Sequence, residues 1–89
     1  MFHIGQTVIL TSSKLELGYP REKKDALMHW YRCFVDEYNP IGTIKNIYDN
    51  DLVMVQFINI KRKIKTLMQF KACVFEPIEL DFIEEEYII

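Results

Sequence analysis

Asp25, His29 and Cys33 recur at intervals of four along this chain. On a helix that spacing stacks them in one diagonal row, and carboxylate, imidazole and thiol together are the groups of an activated cysteine nucleophile. Side chains leaving one helix run side by side, however, and do not converge on a reacting atom. No glycine-rich stretch near the row offers an anion hole. The row therefore predicts an exposed His29, a partly buried Cys33 and no catalysis. His3, His29, Cys33 and Cys73 also supply two imidazoles and two thiols, the donor count of a structural zinc site. The usual knuckle, two cysteines separated by two residues, is missing, so ordinary buried cysteines are expected, with no metal and no cofactor. A phosphate-binding glycine loop is missing too. The chain is not expected to be an enzyme.

Other residues point to binding. Every charged side chain from Leu52 to Phe75 is basic, namely Lys61, Arg62, Lys63, Lys65 and Lys71. Alternate lysines on an extended strand stand about 7 Å apart, close to a phosphate repeat, which makes nucleic acid the alternative partner. Lysines on a strand also protect a sheet edge or face an acidic neighbour. From Glu76 onward every charged side chain is acidic: Glu76, Glu79, Asp81, Glu84, Glu85 and Glu86. Ile78, Leu80, Phe82 and Ile83 are interleaved with them. That pattern reads as a solvated terminal face, as a segment that docks apolar anchors while its carboxylates steer the encounter, or as a nucleic-acid mimic. The apolar ending Tyr87-Ile88-Ile89 favours packing on the core or on a second subunit, so a homo-oligomer is open. Tyr19, Trp30 and Tyr31 are aromatic anchors of the kind protein interfaces use. Tyr31 fits the core, whereas Trp30 lies at the margin of an apolar face.

The elements that must position these residues follow from composition and period. Eighty-nine residues, 49% of them apolar and 13% aromatic, suit a single domain with its own core. Two distant cysteines and a start without a basic, then apolar, leader suggest reduced thiols and a cytoplasmic location. The longest apolar run, Leu52 to Val55, is too short to cross a membrane. A net charge of −2 steers the whole molecule neither to nucleic acid nor to lipid.

Gln6 to Thr11 predicts a first strand. Pro20 opens a helix over Arg21 to Glu37, with Leu27, Tyr31, Phe34 and Tyr38 at four-three-four spacing and Asn39-Pro40 as the stop. The aromatic and β-branched run Trp30 to Val35 also suits a strand. Gly42 to Tyr48 and Leu52 to Ile58 flank Asp49-Asn50-Asp51 and form a hairpin. Its second strand is apolar on both faces, with Val53, Val55 and Phe57 opposite Leu52, Met54 and Ile58, and should be covered on both sides, the helix supplying one cover. Ile60 to Met68 alternates as a half-buried strand with a basic outer face, Gln69 to Ala72 makes a turn, and Cys73 to Ile78 makes an edge strand marked by Pro77. Glu79 to Ile89 is a short helix or a further strand.

Ile4-Gly5-Gln6-Thr7-Val8, Gly42-Thr43-Ile44, Asp51 to Phe57 and Cys73 to Ile78 together resemble an SH3-like small barrel of the Tudor or KOW type, over about two thirds of the chain. The chain departs from that pattern between Ser13 and Asn39, where such barrels have a shorter loop. The resemblance implies a small barrel of about five strands; with the helix that the apolar spacing places between the first two, the expected fold is α+β, mainly β. It also implies a binding module, without transferring any binding residue. The expectation is a small non-enzymatic protein-binding or regulatory module, of the size of a phage or bacterial regulator. Tyr19, Trp30, Glu84, Glu85 and Glu86 are its candidate contacts with another protein. Lys61, Arg62, Lys63, Lys65 and Lys71 are the contacts of the nucleic-acid alternative.

Overall fold

The computed structural model describes residues 2–48 and 51–78. Alternation in the longest apolar run organises it. Every second residue of β3 (Leu52–Asn59), from Val53 to Asn59, is buried. β3 pairs antiparallel with β2 (Ile41–Ile47) on one side and β4 (Ile64–Lys71) on the other. β1 (Thr7–Leu10) pairs with β2 and with β5 (Phe75–Pro77). The result is an α+β fold with one five-stranded antiparallel sheet in the order β4-β3-β2-β1-β5. As expected, Asp49-Asn50-Asp51 lies between hairpin partners and Pro77 sits on an edge strand.

Several expectations are corrected. The sheet is not closed into a barrel among the described residues. β4 and β5 remain its two edges because a 3-10 turn, Ala72–Val74, carries the chain from one to the other without pairing them. Two helices, not one, stand between β1 and β2: α1 (Ser12–Gly18) and α2 (Lys24–Glu37). Thr11 starts α1, its hydroxyl accepting from the Lys14 N–H at 3.4 Å. The next helix begins at Lys24, three residues later than Arg21, because Tyr19 to Lys23 are used to turn the chain. Trp30 to Val35 is helical throughout. β3 is fully buried on the Val53, Val55 and Phe57 face alone, and Leu52, Met54 and Ile58 are only half-buried. Residues 60–63 form a turn instead of strand. The buried Asn59 causes it, its side chain accepting from the Arg62 N–H and its carbonyl from the Lys63 N–H. The expected turn over Gln69 to Ala72 is strand as far as Lys71.

Helix α2 lays one face on the buried side of the sheet. Phe34 meets Phe57 edge-on at 5.1 Å between ring centroids and stacks on Tyr38 at 5.2 Å. Phe57 also meets Phe70 and Phe75 at 6.3 and 6.2 Å, so one ring ties α2, β3, β4 and β5 together. α1 packs where a side chain does not intervene: a Cβ on Gly18 would overlap Val74.

Tyr31 fixes α2 to the end of β1, its hydroxyl donating to the Leu10 carbonyl at 2.7 Å. Burial raises the phenol above its ordinary value. The folded chain thus holds a proton that the unfolded chain releases near pH 10, about the ordinary tyrosine value. This contribution is complete below that pH and is lost as pH rises through the folded value. Tyr31→Phe is expected to cost about 1 kcal/mol at neutral pH through the lost hydrogen bond. It should also lessen the alkaline decline in stability, and urea midpoints at neutral pH and at about pH 11 check both effects.

Candidate functional site

Between α1, α2 and β4 lies an open cleft of about 400 Å³. Leu15 and Tyr19 reach it from α1 and its C-terminal cap, Glu22 from the turn between the helices, and Phe70 from β4. Ala26, Leu27 and Trp30 line it from α2. Ala26 and Trp30 are four apart and Leu27 and Trp30 three apart, so one helical face carries all three.

Each aromatic wall is held in place. The Trp30 ring stacks on Phe34 at 5.1 Å and meets Phe70 edge-on at 5.8 Å, while 40% of the residue stays exposed. The Tyr19 hydroxyl accepts from the Lys71 N–H at 3.3 Å. Lys71 in turn places its ammonium 5.0 Å from the Tyr19 ring centroid and donates to the Gly18 carbonyl at 2.9 Å. Arg21, Glu22, Lys23 and Asp25 are exposed along the turn and the start of α2. An apolar floor within a rim of mixed charge results.

Tyr19 and Trp30, eleven positions apart in the sequence, are thus walls of one cleft. Glu84, Glu85 and Glu86 lie outside the described residues, as does the predicted element Glu79 to Ile89. Leu15, Glu22, Ala26, Leu27 and Phe70 were not foreseen as site residues. Leu15 belongs to an unpredicted helix, Ala26 carries no recognisable chemistry, and Phe70 reads as core.

The basic residues do not form a row on one strand. Lys61, Arg62 and Lys63 occupy the turn, Lys63 with φ 56°, and only Lys65 and Lys71 are on β4. Lys61 donates to the Asp36 carboxylate at 2.9 Å, and this hydrogen bond, then the charge of Asp36, holds the ammonium above its ordinary value. Lys71 is committed to Gly18 and Tyr19. Lys14 lies 3.8 Å from Glu76, joining α1 to β5.

Cys33 and Cys73 are both exposed, not buried, because one stands on the wet side of α2 next to the inward Phe34 and the other on the 3-10 turn next to Val74. The Cys33 sulfur and the His29 Nε2 are 3.7 Å apart. Among the described residues no group of three His, Cys, Asp or Glu side chains is placed to share a metal ion. No described helix is long and apolar enough to cross a membrane. Comparison of the chain with family models, with characterised proteins and with solved structures finds no match.

Proposed function

We propose that the chain is a non-enzymatic protein-binding module whose cleft between α1, α2 and β4 accepts an aliphatic or aromatic side chain from a partner protein. The observation that carries this reading is the convergence of Tyr19, Trp30, Leu27 and Phe70 on one open cavity. Its size falls in the range of ligand sites, about 300–1,000 Å³. An apolar centre ringed by charged residues is the anatomy of a protein interface. The walls contribute one carboxylate, Glu22, and one phenol, Tyr19, and no nucleophile paired with a base. The strand order supports the architectural resemblance to small SH3-like binding modules, here as an open sheet.

Filling the cleft tests this better than emptying it. Ala26 is exposed on α2, so Ala26→Trp blocks the cavity without disturbing the core. N-acetyl-phenylalaninamide titrated into the isotope-labelled chain is expected to shift the amide signals of Leu15, Leu27 and Phe70. The Ala26→Trp variant should show these shifts reduced at least tenfold at the same probe concentration, with its thermal midpoint unchanged. Equal shifts in the variant, or shifts confined to another face, would refute the reading.

A further inference from the structure

We infer that the free edge of β4 is a second contact surface, one that pairs with an extended acidic segment of a partner protein by adding it to the sheet as a sixth strand. The inference does not rest on the cleft being filled. The two edges of the sheet differ sharply. β5 has three residues, one of them Pro77, which cannot donate a backbone hydrogen bond. β4 has eight residues without proline, paired to β3 through eight consecutive positions with no bulge. Native sheets usually blunt an edge of that length by bulge, proline, shortness or charge, and β4 has only the last of these, in Lys65 and Lys71, which deters neutral and basic strands but not an acidic one.

The direction of the free groups is fixed by Lys71. Its N–H points away from β3 and is taken by the Tyr19 hydroxyl. In an antiparallel ladder the outward-facing residues alternate, so Gln69, Leu67 and Lys65 also direct their N–H and C=O groups away from β3. Among the described residues none of these three has a hydrogen-bond partner outside the sheet. Tyr19 therefore closes one end of the edge and leaves the next three outward positions open. Leu67, the middle one of the three, is 57% exposed.

Charge selects the strand that fits. Lys65 lies on the edge, Arg62 and Lys63 lie in the turn leading into it, and no acidic residue occurs from Leu52 to Phe75. Lys61 is answered by Asp36, whereas Arg62, Lys63 and Lys65 have no ion-pair partner among the described residues. Like charges on paired strands repel and opposite charges attract, so this edge opposes pairing with a basic strand and favours an acidic one. Main-chain bonds then give affinity and the lysines give selectivity.

The test uses two capped eight-residue peptides, one alternating glutamate with valine and the other lysine with valine, each titrated into the isotope-labelled chain. The glutamate peptide is expected to slow hydrogen exchange at the Lys65, Leu67 and Gln69 amides at least fivefold, and raising salt from about 50 to about 500 mM should weaken the effect. The lysine peptide should leave these amides unchanged. Leu67→Pro removes an outward N–H without breaking a bond to β3, so it should abolish the slowing while the thermal midpoint moves by no more than a few degrees. Equal action of both peptides, slowing at other amides alone, no slowing at all, or survival of the effect in Leu67→Pro would each overturn the inference.

Discussion

Phe57→Ala is expected to lower stability by about 3–5 kcal/mol, the usual cost of emptying a buried aromatic site. Two reasons place it at the upper end. The ring is fully buried, so all of its apolar surface is returned to water on unfolding. It also touches Phe34, Phe70 and Phe75, which come from three different elements, and their backbones cannot collapse together into the space it leaves. Small folds are stable by about 5–15 kcal/mol, so the variant should be close to unfolding at room temperature. Guanidinium denaturation followed by far-ultraviolet circular dichroism gives the midpoint. Phe57→Leu, which keeps most of the volume, should lose markedly less.

Trp30→Ala should act on binding more than on folding. Its ring leaves 40% of the residue to solvent and makes its contacts with Phe34 and Phe70 at the margin of the core. Tryptophan at the centre of an apolar contact is among the residues whose truncation costs most, about 2 kcal/mol or more, equivalent to roughly thirtyfold in affinity. The expected loss of partner affinity is therefore at least thirtyfold, measured by calorimetry on the partner segment, while the denaturation midpoint falls far less than in Phe57→Ala. Trp30→Phe should recover part of the affinity. As the chain's single tryptophan lines the cleft, its fluorescence reports occupancy directly in the unaltered protein.

Local pattern made part of this architecture legible. The polar trio Asp49-Asn50-Asp51 between β-rich runs identified the β2–β3 hairpin, and the four-three-four spacing of Leu27, Tyr31, Phe34 and Tyr38 identified the face that α2 lays on the sheet. Pro77 marked an edge for the reason proline always does. What stayed hidden depends on contacts distant in sequence. α1 has only seven residues, and of its two leucines Leu15 is buried and Leu17 is 78% exposed, so no apolar period reveals it. An alternating strand reads the same in an open sheet and in a barrel, because closure is decided by whether the edges pair. The lysine row failed on a single residue: a buried asparagine, Asn59, turns the chain just where continuous extension was expected.

The cleft was legible by halves. Tyr19 and Trp30 stood out as large aromatic residues in the segment between the first two strands, since such residues are costly to expose without a use. Phe70 did not stand out, because its place beside Trp30 is created by the fold and by nothing near it in the chain. The acidic residues Glu84, Glu85 and Glu86 remain candidates by charge alone.

The central claim, that this cleft holds a side chain of another protein, is tested most directly by photo-crosslinking from its rim. The photoreactive amino acid p-benzoylphenylalanine at position 22, where Glu22 lines the cavity, is irradiated in native lysate with and without nuclease. One discrete protein adduct is expected, unchanged by nuclease and absent when Ala26→Trp fills the cleft in the same chain. An adduct that persists in the filled variant, a product that disappears with nuclease, or no adduct at all would contradict the account.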